Sequence, residues 1–176
     1  MTIRKINAGL SLITTFLILC HAIALAAWML SMGRIIPKAS QLPWVLTWIT
    51  GIHAVISIFI MASELKEKKK NKGVEYPKDS ASTVVQRLSG MLMLVFTFLH
   101  IAGTIGLMQP PQLVHAIVPP LFFALVMTHV ATSTHKAFVS FGIENEKFIK
   151  VIDVLSKVIC VATLIADVAG FYLYVC

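Results

Sequence analysis

The sequence predicts an all-α integral membrane protein, a bundle of five transmembrane helices forming a single domain over residues 1–176. Hydrophobic residues make up 57% of the 176 and charged residues only 13%, with a mean hydropathy of +0.84. A soluble domain of this size cannot hide so much apolar surface in one core, whereas lipid is itself an apolar solvent. The charges are also clustered, leaving long stretches with none. Five predominantly apolar segments reach the roughly 20 residues that a helix needs to cross hydrocarbon.

Helix I is expected over residues 7–32. It starts just after Arg4 and Lys5, as a signal peptide would, but its apolar run is too long for a signal h-region and lacks a convincing cleavage site, so it is read as a span. Helix II is expected over 42–63 and ends where charge begins. A polar, lysine-rich loop follows over 64–82. Helix III takes 83–108. Helix IV takes 112–141, with Pro119 and Pro120 either opening it or kinking its first turns. Helix V takes 148–175. The I–II and III–IV connections are short, the second bearing Pro110 and Pro111.

The net charge of +7 is unevenly placed. Six of fifteen basic residues, Lys66, Lys68, Lys69, Lys70, Lys72 and Lys78, fall in the II–III loop. Tyr76 is the one aromatic residue among them, too little for a base-stacking surface, which argues against nucleic acid. A solvated loop, membrane lipid phosphates or an acidic partner suit them better. With Arg4, Lys5, Lys136 and Lys147 on the same side and only Arg34 and Lys38 opposite, the positive-inside rule puts the N-terminus in the cytoplasm. Cys20, Cys160 and Cys176 lie in or beside apolar runs without CxxC or CxxCH spacing, so they offer no zinc motif and no covalent haem attachment.

Four of six histidines, His21, His53, His100 and His129, fall one per helix in I to IV. A polar, ionisable side chain inside a span is costly and marks a functional candidate, although one such histidine alone also serves as hydrogen-bonding glue between helices. Their depths sort into two layers. At 1.5 Å per residue, His21 lies about 21 Å and His100 about 25 Å from the cytoplasmic side, against about 15 Å for His53 and about 14–18 Å for His129. Two imidazoles at one depth on two helices suit the axial positions of a low-spin haem, each ring keeping its second nitrogen for another partner. Zinc prefers four ligands at one point, which two layers do not offer. Two b-type haems are therefore expected, held by His53 with His129 in the inner layer and by His21 with His100 in the outer.

A weak internal repeat agrees: His21 and His53 stand 32 positions apart, His100 and His129 stand 29 apart, and each pair joins an outward helix to an inward one. Two related hairpins would then form a haem-binding four-helix bundle, with helix V added. Gly9, Gly51, Gly90, Gly103 and Gly106 could admit a flat macrocycle or simply let helices pack closely.

At these residues the chain resembles the diheme cytochrome b subunit that anchors succinate dehydrogenases and fumarate reductases. Gln86-Arg87-Leu88-Ser89-Gly90, ten residues ahead of His100, is similar to that family's Arg-x-Ser/Thr-Gly signature before a haem histidine. His129 through Phe141-Gly142 resembles its next helix. His53-Ala54-Val55, then a lysine-rich loop with Gly73 and Tyr76, resembles the exit of its first hairpin. Where the family often has histidine or arginine early in helix I, this chain has Asn7. The resemblance implies the same ligand pairs, and a haem-propionate or quinone role for Arg87 and Ser89. It also implies partners, a flavoprotein and an iron–sulfur subunit on the cytoplasmic face of a prokaryotic inner membrane, with electrons passing between iron–sulfur protein and quinone. Arg87 also suits a snorkelling helix-end anchor.

Asp167, the one acid deep in an apolar run, lies about 28 Å along helix V; with His115 it could exchange protons with a quinone, or stand as an interfacial carboxylate. Trp44 and Trp48 read as aromatic-belt anchors, and His135 or Lys136 as propionate contacts or a solvated helix end. No nucleophile–base pair, P-loop or dinucleotide-binding turn is present, so bond-making chemistry on the dicarboxylate belongs to the partners. The pattern also accommodates a cytochrome b of a hydrogenase or formate dehydrogenase, or a haem-free transporter whose histidines shuttle protons.

Overall fold

The structure, a computed structural model, describes residues 2–34, 42–70, 80–105, 107 and 112–175. Five α-helices run in order: α1 (Ile3–Leu30), α2 (Leu42–Lys70), α3 (Ala81–Thr104), α4 (Gln112–Phe141) and α5 (Glu146–Val175). Four are long and apolar enough to cross a membrane: α1, α2, α3 through Gly103, and α4 from Ala116. Sequence expected five. The remaining helix, α5, is 30 residues long, but its first half carries Glu146, Lys147, Lys150, Asp153 and Lys157.

The outward surfaces are apolar, with Trp48 73%, Phe98 71% and Phe16 66% exposed. The buried positions lean to small side chains, Ala8, Ala22, Ala26, Ala102 and Ala137, alongside Met29, Met127, Val130, Cys160 and Phe171. That is the reverse of a water-soluble protein: helices approach through small residues and large ones face outward, as packing in lipid favours. Several hydroxyls in the helices return to their own backbone. Thr47 donates to the Pro43 carbonyl (2.8 Å), Thr132 to Thr128 (2.8 Å) and Thr134 to Val130 (2.7 Å), satisfying donors that lipid would leave bare.

Two helices occupy the middle. α1 packs on α2, α4 and α5, and α4 packs on α1, α3 and α5. α5 therefore lies behind the α1–α4 pair while α2 and α3 flank it in front, and α2 buries no residue fully. At one end of the molecule the starts of α1, α3 and α5 meet the ends of α2 and α4: Arg4 reaches Glu64, Lys136 reaches Thr83, and His135 reaches Asp153. Gly170 lets α5 lie close against α1; an added Cβ there would lie 3.0 Å from Met29 Cβ.

Local chemistry sets the helix ends. Ser80 caps α3 by accepting from the Thr83 amide. α4 closes in a Schellman turn, with Ile143 N bonded to the Phe138 carbonyl, Gly142 N to Val139, and Gly142 at φ +108°. Asn145 then accepts from Phe148 N to open α5. α1 ends in the same pattern, Gly33 N to Trp28 and Met32 N to Met29, but here Met32 occupies the left-handed position at φ 54°.

One sequence expectation changes. α2 does not stop at residue 63: Glu64-Leu65-Lys66-Glu67-Lys68-Lys69-Lys70 stays helical, because it holds strong helix formers without Gly or Pro and places cations at the negative end of the helix dipole. The loop segment 71–79, with Lys72, Gly73, Tyr76 and Lys78, lies outside the described residues. Pro119 and Pro120 sit inside α4. Pro120 has no N–H for the carbonyl of Ala116 four residues back, and the Tyr172 hydroxyl of α5 donates to that carbonyl instead (3.3 Å).

Candidate functional site: two histidine-paired cavities

Between the α1–α4 pair and the flanking α2 and α3 lie two cavities. The inner one, about 400 Å³, takes walls from all four helices and contains His53 and His129. The outer one, about 390 Å³, contains His21 and His100. Each cavity thus receives one pair, and the members of each pair lie within electrostatic reach of one another. Thr50 and Met93 line both cavities and stand between them.

His129 is anchored on α3. Its Nδ1 lies 3.0 Å from the Gln86 carbonyl and 3.3 Å from Ser89 Oγ, which itself donates to the Gln86 carbonyl at 3.1 Å. With Nδ1 so engaged, Nε2 is the nitrogen left for any further bond. Gly90 makes this possible: a Cβ there would stand 2.9 Å from His129 Cε1. Of the two roles expected for that glycine, the contact it makes is close helix packing, α3 admitting the His129 ring of α4. Gly51 and Gly103 have nothing within 4 Å of an added Cβ, and Gly9 touches only Phe141 at 3.5 Å. Gly106 lies outside the described residues. Opposite His129, Nδ1 of His53 is buried without a hydrogen-bond partner. Asn7 of α1 and Ser57 of α2 lie in the same cavity wall and exchange hydrogen bonds at 3.1 and 3.3 Å.

The end of the inner cavity is charged. Arg4, Glu64, Arg87 and Lys136, from four different helices, all line it. Glu64 bridges Arg4 (3.3 Å) and Arg87 (3.0 Å), and Lys136 Nζ reaches Gln86 Oε1 (3.0 Å) and Thr83 Oγ1 (3.3 Å). Three cations face one carboxylate, so an anion is welcome there.

Arg87 lines this charged mouth. Ser89 does not. It is buried, absent from the cavity wall, and turned to His129 and α4. Lys136 lines the mouth, whereas His135 faces α5, its Nδ1 3.0 Å from Asp153, which also binds Lys157 at 2.6 Å. Sequence reading missed Glu64 and Arg4 in this cluster; the signal available was one acid and one base at matching ends of adjacent antiparallel helices.

The outer cavity is mainly apolar. The His100 ring packs on Phe122 with centroids 5.3 Å apart, and Phe122 stacks on Phe96. Trp44 lines this cavity while Trp48 points outward. Asp167 of α5 also lines it, 1% exposed, with both carboxyl oxygens buried and lacking hydrogen-bond partners. Its expected companion His115 has a side chain outside the described residues. Among the described residues no three His, Cys, Asp or Glu side chains gather around one point, so the histidines stay in pairs. No family model, curated protein or solved structure matches the chain.

Proposed function

We propose that this chain is the diheme cytochrome b anchor of a succinate:quinone oxidoreductase, carrying electrons between an iron–sulfur partner and membrane quinone. The observation that carries the reading is the sorting of four histidines into two cavities, one pair in each. A pair supplies two ligands and no more, which suits a metal that brings its own equatorial ring. The wall residues fit such a group. His129 has its second nitrogen on a carbonyl, as ligating histidines generally do; the buried Nδ1 of His53 lacks a partner; and Arg4, Arg87 and Lys136 outnumber the one carboxylate, Glu64, at the charged mouth.

When bound, a haem supplies reversible one-electron chemistry at its iron. The protein's own part would be to offer each such group one imidazole from each of two helices, exclude water with apolar helices, and neutralise carboxylates at the charged end. The quinone, the flavoprotein and iron–sulfur partners, and the prokaryotic cytoplasmic membrane rest on the Gln86–Gly90 signature and the resemblance that it carries. The basic residues support the orientation: Arg4, Lys5, Lys66, Lys68, Lys69, Lys70, Arg87, Lys136 and Lys147 crowd one end, and Arg34 lies at the other. We read α5 as the fifth crossing, since Val151, Val154, Val158, Val161, Ile165 and Leu173 make its outward face apolar.

The test is a reduced-minus-oxidised spectrum of the purified chain, expressed with ample porphyrin. Two b-type α-bands are expected. His53→Ala or His129→Ala removes one, and His21→Ala or His100→Ala removes the other. A folded but colourless protein refutes the haem reading; four variants with full haem content refute the ligand assignment.

A further inference from the structure

We propose that the Thr50 hydroxyl is the positioning partner of His53, accepting a hydrogen bond from its Nδ1 so that Nε2 faces the inner cavity as the ligating nitrogen. The proposal rests on the haem reading above. Among the described residues of the inner wall, His53 Nδ1 and Thr50 Oγ1 are the only buried side-chain nitrogen or oxygen atoms without a hydrogen-bond partner. They stand three residues apart on α2, hence on one face of that helix. A helical side chain leans back over the turn that precedes it, which directs the His53 ring towards Thr50. Each buried polar atom left unpaired is costly, and one bond between these two satisfies both.

The chemistry of the two groups fixes the direction of that bond. A hydroxyl has one hydrogen to give and lone pairs with which to receive. On the same helix Thr47 gives its hydrogen to the Pro43 carbonyl at 2.8 Å, and Thr132 and Thr134 of α4 likewise serve carbonyls four residues back. Thr50 turned in the same way gives its hydrogen to the Leu46 carbonyl and keeps its oxygen for His53. On the facing helix the equivalent support is already formed, with His129 Nδ1 3.0 Å from the Gln86 carbonyl. Other polar groups of the wall are committed: Ser57 exchanges hydrogen bonds with Asn7, and Gln86 Oε1 accepts from Lys136. The backbone carbonyl of Asn7 also lies near the His53 ring. Paired with Nε2, it would turn Nδ1 to the cavity and leave Thr50 without a role.

One side chain then acts oppositely on the empty and the loaded protein. In the empty cavity the Thr50 hydroxyl is an unpaired buried group and lowers stability. In the loaded one, an oxygen accepting the ring proton makes the imidazole a stronger electron donor. That favours ferric over ferrous iron and so lowers the inner midpoint.

The experiment compares Thr50→Val, Thr50→Ser and Thr47→Val in the full-length protein in nanodiscs, with the inner haem identified as the one lost in His53→Ala. Without haem, Thr50→Val should be at least as stable to heat as the unmodified protein. With haem, it should raise the inner midpoint by about 59 mV, a tenfold shift of a one-electron equilibrium. Thr50→Ser should restore the original inner midpoint. Thr47→Val removes a hydroxyl that is already committed and should leave the inner midpoint unmoved, and the outer midpoint is the internal control. Nitrogen NMR of the reduced, unmodified protein labelled with 15N-histidine should show His53 bound through Nε2 with a proton on Nδ1, a measurement that needs no variant. A haem-free Thr50→Val protein that is less stable, an inner midpoint that stays put, two midpoints that move together, or His53 bound through Nδ1 overturns the proposal while leaving the haem reading standing. Absence of any α-band in the unmodified protein overturns both.

Discussion

Replacing Gly90 by alanine puts a methyl carbon 2.9 Å from Cε1 and 3.2 Å from Nδ1 of His129. In an ordinary helix this exchange gains up to about 1 kcal/mol, because alanine loses less backbone freedom. Here the ring must yield, and it is not a loose side-chain tip: Nδ1 sits on the Gln86 carbonyl at 3.0 Å. Overpacking costs roughly 1–3 kcal/mol, and a lost hydrogen bond adds about 1 kcal/mol. Gly90→Ala should therefore destabilise by about 1–3 kcal/mol after the helix gain is subtracted. It should also reduce occupancy at the inner site, while the outer α-band persists. The comparison is internal, since Gly51→Ala and Gly103→Ala meet nothing within 4 Å and should leave stability unchanged or raise it slightly. Denaturation midpoints in detergent and haem-to-protein ratios for the three variants decide the matter. If Gly90→Ala behaves like the other two, His129 is not seated against α3 as described.

Tyr172→Phe should cost about 1 kcal/mol by stranding the Ala116 carbonyl in an apolar setting, and on a Pro120→Ala background, where the helix regains its own donor, the cost should vanish; equal losses on both backgrounds would refute that link. Met32→Gly should stabilise by about 1 kcal/mol, since glycine adopts the left-handed position without the steric penalty, read as a shift in thermal midpoint. Glu64→Gln should cost less than about 1 kcal/mol, because Arg4 and Arg87 are partly solvated, and the loss should shrink with added salt. A salt-independent loss of several times that size would mean the bridge is sealed from solvent.

Depth was legible from sequence because it is one-dimensional: residue count times 1.5 Å sorts the four histidines, and the cavities hold the same pairs. Rotation about the helix axis was not. Arg87 and Ser89 are two residues apart, hence about 200° around α3, so the first can face the cavity mouth while the second turns to His129. A motif that names both gives no warning of this. The extension of α2 through Lys70 was hidden for another reason, since polarity marks the end of a membrane span but not of a helix. The anchoring of His129 by a backbone carbonyl has no signature beyond Gly90, whose meaning depends on which neighbour fills the space. Tyr172 could not be paired with Pro120 without knowing that α5 lies against α4.

Thr50 and Met93 form a party wall, each presenting one side to either chamber. An occupant of one chamber that shifts this wall would reshape the other, and by reciprocity each occupant would then alter the affinity of the other by the same factor. Trimming Met93 would leave all four imidazoles untouched and still register in both halves of a loading isotherm.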